Sequence, residues 1–173
     1  LALLALWCSH YLYRGLVYPF RLRAPRKPMP LSIAAAGLGF NVFNGYLNAR
    51  QVSELHRYGP EWLTDPRFVA GTALFAFGWL VNQHADAVLL RLRKPGETGY
   101  RIPRGGFYRW VSCPNYLGES VEWAGWALAT SSWAGLAFFA YTLANLAPRA
   151  RDHHRWYRAN FPDYPPERKA LVP

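Results

Sequence analysis

Residues 68–92 read FVAGTALFAFGWLVNQHADAVLLRL, and the run carries no charged residue until Asp86. A helix crossing a bilayer needs about 20 largely apolar residues, so this stretch predicts a membrane span. Within it Asn82, Asp86 and Arg93 (just beyond its end) stand at i, i+4 and i+11, which is one face at 3.6 residues per turn. The reading is therefore an apolar helix with one polar stripe.

Outward from this helix, residues 1–20 and 31–49 are apolar runs of similar length, and 116–130 and 133–147 are shorter. Ser131 and Ser132 between the last two predict a tight hairpin turn. A soluble helical bundle is the alternative, since its core helices also look this apolar. Loop charge favours the membrane. Arg21, Arg23, Arg26 and Lys27 follow the first run, and Arg91, Arg93, Lys94, Arg101, Arg104 and Arg109 follow the third. Arg149, Arg151, Arg155, Arg158, Arg168 and Lys169 follow the fifth. The loop after the second run instead mixes Arg50, Arg57 and Arg67 with Glu54, Glu61 and Asp65. This alternation is what the positive-inside rule predicts, with the basic loops cytoplasmic. The expected fold class is all-α, a polytopic bundle of five transmembrane helices forming a single domain over 1–173.

The composition agrees. The 173 residues carry a net charge of +10, with 51% hydrophobic, 17% aromatic and 17% charged residues. Disorder is excluded by the apolar content and a disulfide scaffold by having two cysteines, Cys8 and Cys113. A mean hydropathy of −0.11 averages over segregated segments and hides the spans. The basic excess is absorbed by the loops and by anionic lipid, so no nucleic-acid partner is expected. Leu1 already lies inside an apolar run, without the charged region that opens a signal peptide, so the upstream part of the protein is expected to be missing.

The other helices carry stripes too: His10, Tyr11, Arg14 and Tyr18; Asn41, Asn44 and Asn48; Asn115, Glu119 and Glu122; Arg149, His153 and Tyr157. Such groups either join helices by hydrogen bonds or face a wet cavity. Several arginines near one mouth suit an anionic, multiply phosphorylated ligand, because a guanidinium binds phosphate through paired hydrogen bonds. Gly37-Leu38-Gly39 lacks the third glycine and the preceding strand of a dinucleotide fingerprint. His84, His153 and His154 lack a ligand partner at metal-site spacing, so no metal is expected. Arg104-Gly105-Gly106 reads as a flexible loop turn rather than a phosphate cradle.

Leu92-Arg93-Lys94-Pro95-Gly96-Glu97, then Gly99-Tyr100-Arg101-Ile102-Pro103-Arg104-Gly105-Gly106, resembles the signature of steroid 5α-reductases. The likeness continues through 111–119 (VSCPNYLGE), Glu122-Trp123, 153–157 (HHRWY) and 168–173 (RKALVP). Upstream, His10-Tyr11 with Arg14, Asn44-Gly45, Asp65 with Arg67-Phe68, and Asn82 with His84 and Asp86 also fit. The resemblance implies a seven-helix membrane reductase of which this chain supplies five helices. It implies NADPH as cofactor and reduction of the 4,5 double bond of 3-oxo-Δ4 steroids. By the same likeness Arg14, Asn82, Asp86, Arg93, Tyr100, Arg101, Asn115, Glu119, Arg149, His153 and Tyr157 hold the cofactor. Tyr11 is the catalytic contact to the steroid 3-oxo group, and Glu119 and Trp123 join it at the substrate. The family's Gln-Glu pair lies upstream and is absent here, and Cys113-Pro114 replaces smaller residues.

Two rivals stand beside this reading. One is a membrane methyltransferase for isoprenylated cysteine, whose S-adenosylmethionine carries no phosphates for the arginines. The other is a lipid-binding scaffold without turnover. The expected surroundings are a membrane, a steroid arriving from lipid and no obligate protein partner. The excess of arginine over lysine hints at a bacterial inner membrane; a eukaryotic version would sit in the endoplasmic reticulum.

Overall fold

Each of the five apolar runs is helical in the computed structural model, which describes residues 1–22, 29–92 and 99–173. The first run is α1 (Ala2–Leu12), a wide π turn (Tyr13–Val17) and α2 (Tyr18–Arg21) in succession. Pro19 explains the wide turn: it brings no N–H to the preceding turn, and its ring crowds the carbonyl four residues back. The second run is α3 (Leu31–Arg50). α4 (Pro66–Arg91) starts on an Asp-Pro pair. There Asp65 caps the helix by accepting from Arg67 N at 2.8 Å, and Pro66 supplies a φ already suited to the first turn.

α5 (Pro114–Thr130) likewise begins on a proline, whose fixed φ suits the first turn of a helix. Ser131 then takes a left-handed conformation, φ 45°, and Ser132 caps α6 (Trp133–Asn160) by accepting from Gly135 N at 3.0 Å. The Ser131-Ser132 hairpin turn is therefore present. α6 runs well past Ala147, and places Arg149, His153 and Tyr157 on successive turns.

α4 and α5 pack antiparallel with almost nothing between them. Gly71 and Gly78 on α4 face Gly125 and Gly118 on α5, each pair two turns apart. A β-carbon on Gly71 would stand 2.3 Å from Ala129 N, and one on Gly125 would stand 2.3 Å from Phe75 N. Only hydrogen fits at these four positions. Above this seam Leu3, Trp7, Phe75, Trp123, Trp126 and Phe138 form the main core. α3 joins it through Phe40, which stacks on Tyr141 with ring centroids 4.1 Å apart.

The expected transmembrane spans are overturned. No helix among the described residues is long and apolar enough to cross a membrane. α1 has 11 residues and α5 has 17. The longer helices lose apolarity to Asn41, Asn44 and Asn48 in α3, to Asn82, His84, Asp86 and Arg91 in α4, and to the basic second half of α6. Alternating loop charge has a different meaning here: it separates the two ends of the bundle. The ends of α2, α4 and α6 and the start of α5 meet at the basic end. At the other end Tyr58 and Trp62 donate to the carbonyls of Thr130 and Ala129, at 2.7 and 3.0 Å.

Candidate functional site

At the basic end the π turn aims Arg14 between two acids. Its guanidinium donates to Asp86 Oδ2 at 2.6 Å and to Glu119 Oε2 at 3.3 Å, joining α4 and α5 through the first helix. Asp86 is 1% exposed. Burial pushes its carboxyl up from the usual range, and Arg14 opposes that shift. Asn82, one turn before Asp86, donates to Asn115 O at 3.1 Å and fixes the start of α5. The same Arg14 guanidinium lies 4.8 Å from the centre of the Tyr18 ring.

Tyr18 is also one wall of a cavity of about 440 Å³. Leu22, Leu89, Leu90 and Leu92 line its apolar side. Opposite them stand Tyr100, Arg101, Tyr108, Ser112, Cys113, Asn115, Tyr116, His153, Trp156 and Tyr157. No carboxylate is among these lining residues; the nearby acids, Asp86 and Glu119, are held by Arg14. Such a volume is of ligand size, and the wall offers aromatic faces beside a guanidinium, an imidazole and a carboxamide.

The chain's end buttresses this wall. Lys169 pairs beside Val111 in a parallel bridge, with Ser112 N donating to Lys169 O at 2.9 Å and Lys169 N to Trp110 O at 2.8 Å. Ser112 Oγ donates to Lys169 O at 3.1 Å, which leaves its lone pairs for His154 Nδ1 and Tyr164 Oη, both at 2.7 Å. Arg168 is buried and donates to Pro103 O at 2.9 Å, near the loop that carries Arg101. Tyr164 stacks on Tyr157, ring planes 12° apart.

The expected cofactor residues fall into three groups. Tyr100, Arg101, Asn115, His153 and Tyr157 line the cavity. Arg14, Asn82, Asp86 and Glu119 form the hydrogen-bonded layer behind it. Arg149 is exposed on α6, one turn before His153. Arg93 lies outside the described residues. The three histidines weighed as a metal set go to separate partners: His153 to Tyr116, His154 to Ser112, and the His84 ring beneath Gly106. Gly105 and Gly106 have φ of 95° and 51° and open a short 3₁₀ turn (Gly106–Arg109), as the loop reading expects.

Tyr11 sits one turn before Arg14, at the edge of the aromatic core. Its ring centroid is 5.0 Å from that of Trp7, 5.2 Å from His10 and 6.1 Å from Trp123. Burial pushes its phenol up to about 12, and the nearby Asn44 amide pulls it down. Trp123 is 1% exposed, enclosed by Trp7, His10, Phe75 and Phe138. Beside it His10 Nδ1 meets Glu122 Oε1 at 2.8 Å. Glu122 is 0% exposed, and burial raises its pKa while His10 opposes. The sequence reading names no role for Glu122, Tyr108, Ser112, Tyr116 or Trp156. Glu122 lay in the stripe with Asn115 and Glu119, and that was its signal; Ser112, Tyr116 and Trp156 fall within the family-like stretches 111–119 and 153–157 but off the stripes, and Tyr108 gave no signal.

Comparison with known proteins decides the family. The model of the 3-oxo-5-alpha-steroid 4-dehydrogenase family matches residues 27–173. The chain belongs to that family. It is 50% identical over 171 residues to 3-oxo-5-alpha-steroid 4-dehydrogenase 1 of Bos taurus, covering 99% of this chain and 66% of the relative. The Homo sapiens protein of the same name is 47% identical, with the same coverage. Steroid 5-alpha-reductase DET2 of Gossypium hirsutum is 50% identical over 169 residues, covering 95% of this chain and 66% of the relative. The chain thus spans just under two thirds of the length of these relatives. The bacterial origin expected from arginine usage finds no support among them.

Proposed function

We propose that this chain is the catalytic body of a reductase that uses NADPH to saturate the 4,5 double bond of 3-oxo-Δ4 steroids. The observation that carries the reading is that one helical run serves both halves of such a site. Tyr11 stands in the aromatic core, and one turn on Arg14 braces the wall of the basic-end cavity. The family membership supports the reaction class, and the names of the relatives supply the substrate class.

The cavity's donors fit a dinucleotide phosphate. Arg101 offers a positive hydrogen-bond donor for phosphate oxygens, His153 an imidazole, Asn115 a carboxamide, and the Tyr100, Trp156 and Tyr157 rings flat faces for aromatic bases. When bound, the reduced nicotinamide supplies the hydride. Addition to the enone β-carbon builds negative charge on the ketone oxygen. Tyr11 then acts as a hydrogen-bond donor whose interaction strengthens as that charge grows, within a site walled by indole and phenyl rings. A proton taken up at the α-carbon completes the reduction.

The test is steroid-dependent oxidation of NADPH by the purified protein, followed by mass analysis of the product. With NADPH deuterated at the transferred position, one deuterium should appear at C5 of the steroid. Cofactor binding without any steroid-dependent oxidation, across several 3-oxo-Δ4 steroids, would overturn the assignment.

A further inference from the structure

His10, the residue before Tyr11, is held by one buried carboxyl. Its Nδ1 stands 2.8 Å from Glu122 Oε1, with 9% of the His10 side chain exposed and none of Glu122. A carboxylate only accepts, so Nδ1 carries the hydrogen and Nε2, across the ring, is left to react. Among the described residues Nε2 meets no hydrogen-bond partner. Glu122 Oε2 is buried without one as well. A buried charge needs a partner, and His10 is the one this carboxyl has among the described residues. The imidazolium, protonated at Nε2 too, supplies the missing positive charge. Merely tying the first helix to α5 would not call for an acid here, because an amide would hold Nδ1 with no charge to bury and no oxygen left bare.

The imidazole is placed for the second half of the proposed reaction. Its ring meets Tyr11 edge-on, centroids 5.2 Å and planes 72° apart, and lies 4.6 Å from the centre of Trp123. Tyr11 is the donor to the ketone oxygen in that reaction, and the α-carbon is two bonds from this oxygen. A group beside the phenol is therefore beside the carbon that has to be protonated. The nearby charges are engaged elsewhere, since Arg14 is held between Asp86 and Glu119. Around Glu122 and Trp123, α4 contributes Phe75 and the Gly78 backbone and α6 contributes Phe138. α3 turns the uncharged Asn44 and Asn48 inward.

We infer that His10 is the catalytic acid that protonates the α-carbon, and that Glu122 is the positioning residue that fixes its ring and balances its charge. This rests on the reductase reading above. Hydride addition leaves an electron pair in the enolate. That pair forms the new C–H bond at the α-carbon while the Nε2–H bond of His10 breaks and leaves its electrons on nitrogen. The enolate returns to a ketone and Tyr11 keeps its own proton. Neutral His10 then recovers a proton at Nε2 from water, so each turnover consumes one hydride and one solvent proton.

The experiment is the pH dependence of kcat for the purified wild type, His10→Gln and Glu122→Gln, at saturating NADPH and steroid. NADPH affinity is read beside it from nicotinamide fluorescence. At saturation a group that aids binding alone, such as His153 in the cavity wall, drops out of the profile. Wild-type kcat should fall as pH rises and the imidazolium gives up its proton. His10→Gln should lower kcat about 100-fold, the scale of lost general acid catalysis, and should flatten that fall. Its NADPH affinity should be unchanged, because His10 does not line the cavity. Glu122→Gln should bring the fall to lower pH, since the imidazolium loses its counter-charge. It carries the same test if His10→Gln does not fold. A wild-type kcat without such a fall, or one that persists unshifted in the variants, would assign the pair to structure and overturn the inference. Absence of steroid-dependent oxidation in the wild type at every pH is the separate failure of the reductase reading.

Discussion

Gly78 of α4 lies against the backbone of Glu122 on α5: a β-carbon at Gly78 would stand 2.3 Å from Glu122 N and 2.6 Å from Gly118 O. The glycine seam therefore runs directly under the most deeply buried acid among the described residues. Backbone atoms cannot step aside as a flexible side chain can, so the helices must separate to admit a methyl group. Gly78→Ala should destabilise the fold by about 1–3 kcal/mol. Gly45→Ala is the control, since nothing lies within 4 Å of a β-carbon there. It removes a mid-helix glycine and should be neutral or stabilising by up to about 1 kcal/mol. Thermal unfolding of the two variants checks this, and equal effects would dismiss the seam.

The acid above that seam gives a pH signature. Burial raises the Glu122 pKa above its ordinary value of 4.5, with the His10 hydrogen bond, Glu119 and Arg14 acting on it as well. A carboxyl raised on folding contributes stability that is complete below 4.5 and is lost as pH climbs through the folded value. Glu122→Gln keeps a carbonyl oxygen for His10 and cannot ionise. The stability of wild type relative to this variant should therefore fall as pH rises from 4.5. A pH-independent difference between their unfolding midpoints would show that Glu122 does not titrate in this window.

Helices were the legible part of this sequence, because apolar runs, Asp65-Pro66, Cys113-Pro114 and Ser131-Ser132 are local signals that the chain obeys locally. Bilayer crossing was not legible from the same runs. Leu38, Val42 and Phe43 show how apolar side chains lie on an outer face while Asn44 and Asn48 turn inward on the same helix. The stripes singled out Arg14, Asn82, Asp86 and Glu119, which the structure joins by hydrogen bonds between helices, but not their pairing, which depends on a π turn at Tyr13–Val17. The two-turn spacing of Gly71 with Gly78 and of Gly118 with Gly125 was in plain view, yet its meaning requires both helices at once. Docking of Lys169 beside Val111 joins residues far apart in the chain and left no periodic trace.

Arg101 carries the prediction about the cofactor. It lines the cavity beside Tyr100, and in the proposed reading its guanidinium would bind phosphate oxygens through charge-assisted bonds. Losing such a bond costs about 1.5–3 kcal/mol, so Arg101→Ala should weaken NADPH binding by roughly 10- to 100-fold. NADPH should also be preferred over NADH by the wild type in kcat/KM, through its additional phosphate. Fluorescence titration reads the first effect and steady-state kinetics the second. Unchanged affinity in Arg101→Ala would place the phosphates elsewhere.

The docked tail should loosen in acid. Burial, Arg158 and Lys169 together lower the His154 pKa below its ordinary 6.5. A histidine lowered on folding contributes stability present above 6.5 and lost as pH falls toward the folded value. The Ser112 hydroxyl spends its proton on Lys169 O, so the neutral His154 donates from Nδ1. His154→Asn retains an amide donor near that position and carries no charge. Hydrogen exchange at the Lys169 N–H should accelerate below 6.5 in wild type and much less in His154→Asn, after correction for the intrinsic pH dependence of exchange. The same acid response in both proteins would acquit His154.

Tyr11 is the residue to which the proposed reaction assigns the donor at the ketone oxygen. Its phenol stands among Trp7, His10 and Trp123, and burial has pushed its pKa up to about 12, so it is protonated and able to donate throughout the neutral range. Tyr11→Phe removes one oxygen and keeps the ring that packs on Trp7, so the fold should survive. NADPH affinity should survive too, because Tyr11 does not line the cavity. A donor that strengthens toward the transition state is worth about 10²–10³ in kcat, whereas one that binds substrate and transition state alike would appear in KM alone. Measuring turnover, steroid KM and NADPH affinity on one preparation separates these cases. A drop of that size in kcat with cofactor affinity intact places the phenol at the developing enolate. A change confined to KM makes it a substrate anchor, and turnover within a few fold of wild type returns Tyr11 to the aromatic core.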